Sequence, residues 1–308
     1  MRSITKSIMA RFYKMYKAVA EHPTTTVYDI ALEGHFSRNT VSKYLKEMYK
    51  RNIIIGPYIQ MNPSPNYNEY VYLLKFSDPQ RAFEGLREFP NIQYNALTFG
   101  GWSNLVITNR LFDFSQLVGF ERTVYRGAKY CTHTPLVELT TWKQSFERIE
   151  ERLSRFSPSK SEAKERTYAP PLYWGENEWT LFNTFKYNIR QKRTPTLRKV
   201  KVRYDVYVKW SASLQDYCTI HTGFYPEGYH TYTTHCFLIY TDHEQTTKSL
   251  FSLFPTTPVI IEVDKFMLVF VSATTPDINQ AVINTLYDMK SKEVIKEFHY
   301  SGVLRHSY

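Results

Sequence analysis

Between Val27 and Met61 the sequence reads VYDIALEGHFSRNTVSKYLKEMYKRNIIIGPYIQM, a pattern that few folds accept. Val27, Ile30 and Ala31 share one side of a short helix, and Gly34 follows the last periodic residue as its C-terminal cap. Ser37 stands where a second helix needs an N-cap. That helix carries Val41, Leu45 and Met48 on one face with Tyr44 beside them, and Arg38, Asn39, Ser42, Lys43 and Lys46 on the other. Ile53-Ile54-Ile55, Gly56-Pro57 and Tyr58-Ile59 read as two short strands around a turn. Helix, turn, polar-faced helix and hairpin make a winged helix-turn-helix, whose second helix enters the major groove of DNA. Contacts to double-stranded DNA are then expected from Ser37, Arg38, Asn39, Thr40, Ser42, Lys43, Lys46, Lys50 and Arg51. The plainer alternative is a helical hairpin with a solvated basic face.

The runs Asp29-Ile30-Ala31, Phe36-Ser37-Arg38-Asn39-Thr40-Val41-Ser42-Lys43, Leu45-Lys46 and Asn52-Ile53-Ile54 resemble the DNA-binding domain of the leucine-responsive/asparagine-operon (Lrp/AsnC) regulators. Phe36 and Asn52 take the places of a Leu and a Gly in that pattern. The resemblance covers the first fifth of the chain. It implies a sequence-specific transcription regulator, not an enzyme, with a ferredoxin-like effector or assembly domain after the DNA-binding one.

Net charge supports a polyanionic partner because of where it lies. Residues 1–62 hold 10 Lys/Arg against 4 Asp/Glu, residues 177–232 hold 9 against 4, and the remainder holds 20 against 21. Concentrated basic charge favours phosphate through counterion release. The basic first 20 residues superficially resemble a transit peptide. Ile4, Ile8, Phe12, Met15 and Val19 instead give them the stripe of an amphipathic helix. Three cysteines and no long apolar run point to a reducing compartment, a cytoplasmic location and no membrane partner.

Downstream, Tyr70–Phe76 is a strand, Asp78-Pro79 opens a helix to Phe89, and Ile92–Phe99 and Asn104–Thr108 are strands. Phe114–Tyr125 reads as a second helix and Ala128–Leu139 as a fourth strand, completing the β-α-β-β-α-β order of a ferredoxin-like domain. The segment Asn95–Ile107 resembles the Lrp/AsnC strand-turn-strand, which implies a small-molecule effector site at Gly100, Gly101, Trp102 and Asn104. Asn104 occupies a position that is normally acidic. Residues 147–171 break the pattern: a charged helical stretch from Glu147 to Arg155, the linker-like Ser157-Pro158-Ser159-Lys160-Ser161-Glu162, and Pro170-Pro171.

The second half repeats the first. Phe237–Asp242 lies 164 positions after Leu73–Asp78, and Leu253-Phe254-Pro255 lies 165 after Glu88-Phe89-Pro90. His243–Phe254 and Pro276–Lys290 read as helices, and Val259–Val263, Phe266–Val271 and Val294–Tyr300 as strands. Upstream, Trp179–Ile189, Leu197–Val202, Tyr207–Tyr217 and a hairpin from Ile220 to Tyr225 match the first winged unit in weaker form. Its charge suits phosphate contact by Arg193, Arg198, Lys199, Lys201 and Lys209, against a purely structural alternative. The expected class is therefore α+β: a winged helix-turn-helix plus a ferredoxin-like domain, repeated in tandem. The expected units are 1–62, 67–145, a linker at 146–172, 173–232 and 233–308. Such a chain is a pseudo-dimer addressing two unequal half-sites, and two chains can associate further as a homodimer.

Cys131/His133, Cys218/His221 and His235/Cys236 contain metal-binding residue types but no paired Cys-x-x-Cys spacing, so neither a metal nor another cofactor is expected. No phosphate loop, Gly-x-Ser-x-Gly or His-Glu-x-x-His occurs. A second reading is a small-molecule binder or enzyme on the same architecture. The siroheme decarboxylases resemble the same family, and His133, His221, His230 and His235 with the many tyrosines suit tetrapyrrole chemistry.

Overall fold

The computed structural model describes residues 4–158 and 166–307, a mixed α and β chain of ten helices and ten strands among those residues. The chain opens with α1 (Lys6–Glu21), α2 (Val27–Gly34), α3 (Arg38–Lys50) and β1 (Ile54–Met61). Next come β2 (Glu69–Phe76), α4 (Pro79–Leu86), β3 (Ile92–Gly100), β4 (Asn104–Thr108) and β5 (Phe120–His133). After α5 (Trp142–Arg155) the order recurs: α6 (Glu176–Phe185), α7 (Arg193–Val200), α8 (Tyr204–Tyr217) and β6 (Cys218–Phe224). It closes with β7 (Thr233–Tyr240), α9 (Glu244–Phe251), β8 (Val259–Val263), β9 (Phe266–Ala273), α10 (Pro276–Ser291) and β10 (Glu297–Ser307). β2 and β7 start 164 positions apart, the offset read from the sequence.

The helix ends follow the local chemistry. Thr26 and Asp29 form a capping box at the start of α2, and Ser37 Oγ accepts from Thr40 N at 3.1 Å at the start of α3. The left-handed residue after α2 is His35, with φ 54°, where Gly34 was expected to end the helix. Phe12, Met15, Tyr16, Val19, Ile30, Val41, Leu45 and Met48 form the core of this first helical trio.

The expected hairpin wing is absent. Gly56-Pro57 is not a turn but a bulge inside the single strand β1, which pairs antiparallel with β6 from the second half. The expected hairpin at Ile220–Tyr225 is likewise the single strand β6. The two strands also exchange cores. Ile59 and Met61 of β1 pack with Leu181, Phe185 and Trp210 of the second trio. Phe224 of β6 enters the first trio and stacks on Tyr16 at 4.6 Å. Arg190 completes the join by donating from Nη1 to the carbonyls of Pro23, at 3.1 Å, and Thr25, at 2.5 Å.

The other eight strands form one closed barrel in the order β10-β3-β4-β2-β5-β8-β9-β7. Within each half the strands lie fourth-first-third-second: β5-β2-β4-β3 and β10-β7-β9-β8. The fourth strand of each half pairs with the second of the other, β5 with β8 and β10 with β3, and these two seams close the ring. Closure was not expected from the sequence, and it leaves the barrel itself without an edge strand among the described residues. Val71, Leu73, Ala96, Leu105, Cys236, Leu238, Ile261 and Leu268 point inward and fill the barrel. The alternate residues point outward. Tyr72, Leu74 and Phe76 pack with Leu86 and Phe114, while Phe237, Ile239 and Val269 lie under α5, α9 and α10.

The first half departs from its repeat. Phe114–Tyr125, expected as a helix, holds only a 3-10 turn at Phe114–Gln116, and from Phe120 onward the chain is already the 14-residue β5. The fourth strand is therefore not Ala128–Leu139 but Phe120–His133. α5, expected as part of a linker, buries Ile149 and Leu153 in the second half's core. The linker-like residues Ser159, Lys160, Ser161 and Glu162 lie outside the described residues. No helix among the described residues is long and apolar enough to cross a membrane.

Candidate functional site

The packing just described leaves one end of the barrel open beneath the β1/β6 ribbon. A cavity of about 490 Å³ lies there. Its lining comes from the starts of β2, β3, β7 and β8, from the ends of β4, β5, β9 and β10, and from β1 and α6 with the residues that follow them. Inward-facing Tyr94, Ile107, Ile261, Phe270 and Val303 form its barrel wall. Tyr58 and Gln60 of β1, with Lys186 and Tyr187, cover it, and Tyr229, His230 and His306 stand at its side. Tyr94 and His306 stack with ring centres 5.9 Å apart. An apolar, aromatic concavity with a few polar groups at a barrel mouth is the usual form of a small-molecule site.

The polar groups are set by strand register. Glu69 and Lys129 are cross-strand partners on β2 and β5, and Lys129 Nζ lies 2.7 Å from Glu69 Oε2. The other carboxylate oxygen accepts from Tyr67 Oη at 2.8 Å. Lys129 is only 4% exposed. Burial, and then the adjacent Glu69 carboxylate, push the Tyr67 phenol well above its ordinary range. At the rim, Lys186 Nζ sits 5.9 Å from the Phe182 ring centre and 5.0 Å from that of Tyr187.

Behind Tyr58 lies His221, with ring centres 5.3 Å apart. Its Nδ1 is 2.8 Å from Thr134 Oγ1 and its Nε2 is 2.7 Å from Thr219 Oγ1. Burial, then the positive charge of Lys129, lower its pKa to about 3. The ring is neutral at physiological pH and both its nitrogens are engaged.

Of the four histidines weighed for tetrapyrrole chemistry, His230 alone lines the cavity. His235 is held by Tyr300 Oη at 3.1 Å and Asn279 Oδ1 at 3.0 Å on the barrel's outer face. His306, Lys129 and Glu69 were not among the candidates, although all three line the cavity. The available signal was the charge at Lys129 on the inward phase of a strand that also carries Tyr125 and Gly127. Among the described residues no three His, Cys, Asp or Glu side chains are grouped to hold a metal.

The expected effector residues are brought together at the opposite end of the barrel, away from the cavity. Gly101 N donates to Tyr300 O at 2.8 Å, and Trp102 N to Ser301 Oγ at 3.0 Å. Gly100 has φ 118°, and a Cβ there would meet Tyr300 O at 2.9 Å. Trp102 is fully buried in the barrel core, and Asn104 Nδ2 donates to Pro79 O at 3.1 Å. Gly100, Gly101 and Trp102 thus meet β10 at the β3/β10 seam, while Asn104 ties β4 to the start of α4.

Of the residues expected to touch DNA, Ser37, Arg38, Asn39, Lys43, Lys46 and Lys50 are exposed. Thr40, Ser42 and Arg51 are partly buried, and Arg51 Nε pairs with Glu47 Oε1 at 2.5 Å. Arg38 lies over the Tyr28 ring, 4.5 Å from its centre. In the second trio Arg193, Arg198, Lys199, Lys201 and Lys209 are exposed.

No family model matches the chain, and no curated protein matches it. Among solved structures it is similar to the siroheme decarboxylase NirDL, with a TM-score of 0.48 and 11% identity over 96% of this chain and 91% of that one. It is also similar to the same enzyme in co-complex with an iron-uroporphyrin III analogue, with a TM-score of 0.43 and 11% identity over 96% and 92%. Both neighbours are enzymes, whereas the expectation from the sequence was a chain that is not one.

Proposed function

We propose that this chain binds a flat, carboxylate-bearing small molecule of the tetrapyrrole class in the mouth of its barrel and acts on it as an enzyme of the siroheme decarboxylase kind. The observation that carries the reading is the aromatic cavity of about 490 Å³ with Lys129, Lys186, His230 and His306 around it. Its size lies within the range of roughly 300–1,000 Å³ usual for small-molecule and cofactor sites. A macrocycle enters such a space by one edge, with aromatic rings against its faces and cations beside its carboxylates. The architecture is read as two copies of a winged-helix plus ferredoxin-like unit, fused and joined at both levels. The repeated fourth-first-third-second strand order and the 164-residue offset support that reading.

Titrating the purified protein with haem and with siroheme tests the proposal. The expected result is a saturable change in the visible spectrum that survives replacement of Arg38 and Lys43 by alanine. A flat titration, together with tight and sequence-selective binding of duplex DNA whose logarithm falls with log salt, would return the chain to the regulator class.

A further inference from the structure

We propose that Lys129 is the anchor for the ligand's carboxylate, so that the site selects acids over neutral molecules of the same shape. The proposal rests on the function proposed above. An ammonium has three N–H donors. Glu69 Oε2 accepts from one of them, and no second protein acceptor is in reach among the described residues. A buried ammonium with unmet donors is costly unless something supplies oxygen atoms. Lys129 is one of the residues that line the cavity, where β2 and β5 pair.

Glu69 does not compete for the role. One of its oxygens takes Lys129, the other takes the Tyr67 hydroxyl, and together these hold the carboxylate in place against the strand. A cross-strand Lys–Glu pair buried in a barrel is a weak device for stability, since apolar residues of similar volume commonly serve as well. Its value here is a cation fixed in position in the wall of an aromatic-lined cavity. A planar carboxylate offers two oxygens to that face, and a carboxylic ester offers neither a charge nor the same hydrogen bonds.

The test compares uptake of haem with uptake of haem dimethyl ester by visible absorption, in the wild-type protein and in Lys129→Met, Lys129→Arg and the doubly neutral K129M/E69Q. Loss of a charge-assisted hydrogen bond corresponds to about 10- to 100-fold in affinity. The wild-type protein is expected to bind the acid at least tenfold more tightly than the ester. Lys129→Arg keeps that preference, and both variants that lack the cation lose it. The double variant leaves no unpaired charge and so separates loss of preference from loss of fold, which thermal melting monitors. Equal affinity of the wild-type protein for acid and ester overturns the anchor while the cavity reading stands. A preference retained in K129M/E69Q also overturns it. Uptake of neither form overturns both proposals.

Discussion

Lowering the pH from 7 to 4 is expected to destabilise this protein with a component that disappears in His221→Gln. His221 is buried between Thr134 and Thr219, and its pKa falls to about 3 against an ordinary 6.5. The depressed value fixes the sign. The unfolded chain takes up the proton near pH 6.5 and the folded chain resists it, so this stability is fully present above 6.5 and is lost as the pH falls towards 3. Each pH unit in that window is worth about 1.4 kcal/mol for one proton, or roughly 3 kcal/mol between pH 6.5 and 4. Urea midpoints measured across the range give the result directly. The wild-type curve should fall more steeply than that of His221→Gln, and parallel curves would show that His221 is not neutral in the folded state.

Trp102→Ala is expected to cost about 3–5 kcal/mol of unfolding free energy, the range for truncating a large buried aromatic. Trp102 closes the end of the barrel opposite the cavity, and its backbone is tied to Ser301 across the β3/β10 seam. Its indole Nε1 has no hydrogen-bond partner among the described residues, so Trp102→Phe leaves no polar atom behind and should cost less. Denaturant unfolding distinguishes the two. A loss below 1 kcal/mol for the alanine variant would mean that the barrel collapses onto the vacated space.

The helices were legible because their signals are local. Caps at Thr26 and Ser37 and the spacing of Val41, Leu45 and Met48 are contained in a few turns of chain. The wing was misread because Gly56-Pro57 carries a turn signature, while the partner that makes it a bulge, β6, lies some 160 positions away. The missing helix after Phe114 failed for a related reason. Phe114, Leu117 and Val118 have helical spacing, but β2 draws the chain into a strand from Phe120 by pairing along its whole length. The cavity was least legible of all. Glu69 and Lys129 are unremarkable within their own strands and meet only through the β2/β5 register, and His306 joins them around the cavity only when β10 closes the ring. At Gly100 a positive φ, and at Gly101 the close approach of the Tyr300 carbonyl, fit the chain to the β3/β10 seam, a partner some 200 positions away that the local glycine pair does not announce.

The two seams also dictate an order of assembly. β3 and β5 are edge strands of the first half, and their partners, β10 and β8, belong to the second. As the chain leaves the ribosome, the first four barrel strands therefore wait with both edges unpaired, the condition most exposed to wrong pairing. Trp102 meets Ser301 across 199 positions, a separation that makes the last closure slow compared with the helical trios. β10 acts as the keystone: it pairs with β3 and β7 at once, and only its arrival turns two half-sheets into a vessel with an inside. Any binding that needs the cavity must begin after that moment, so a nascent or truncated chain has helices but nowhere to hold a ligand.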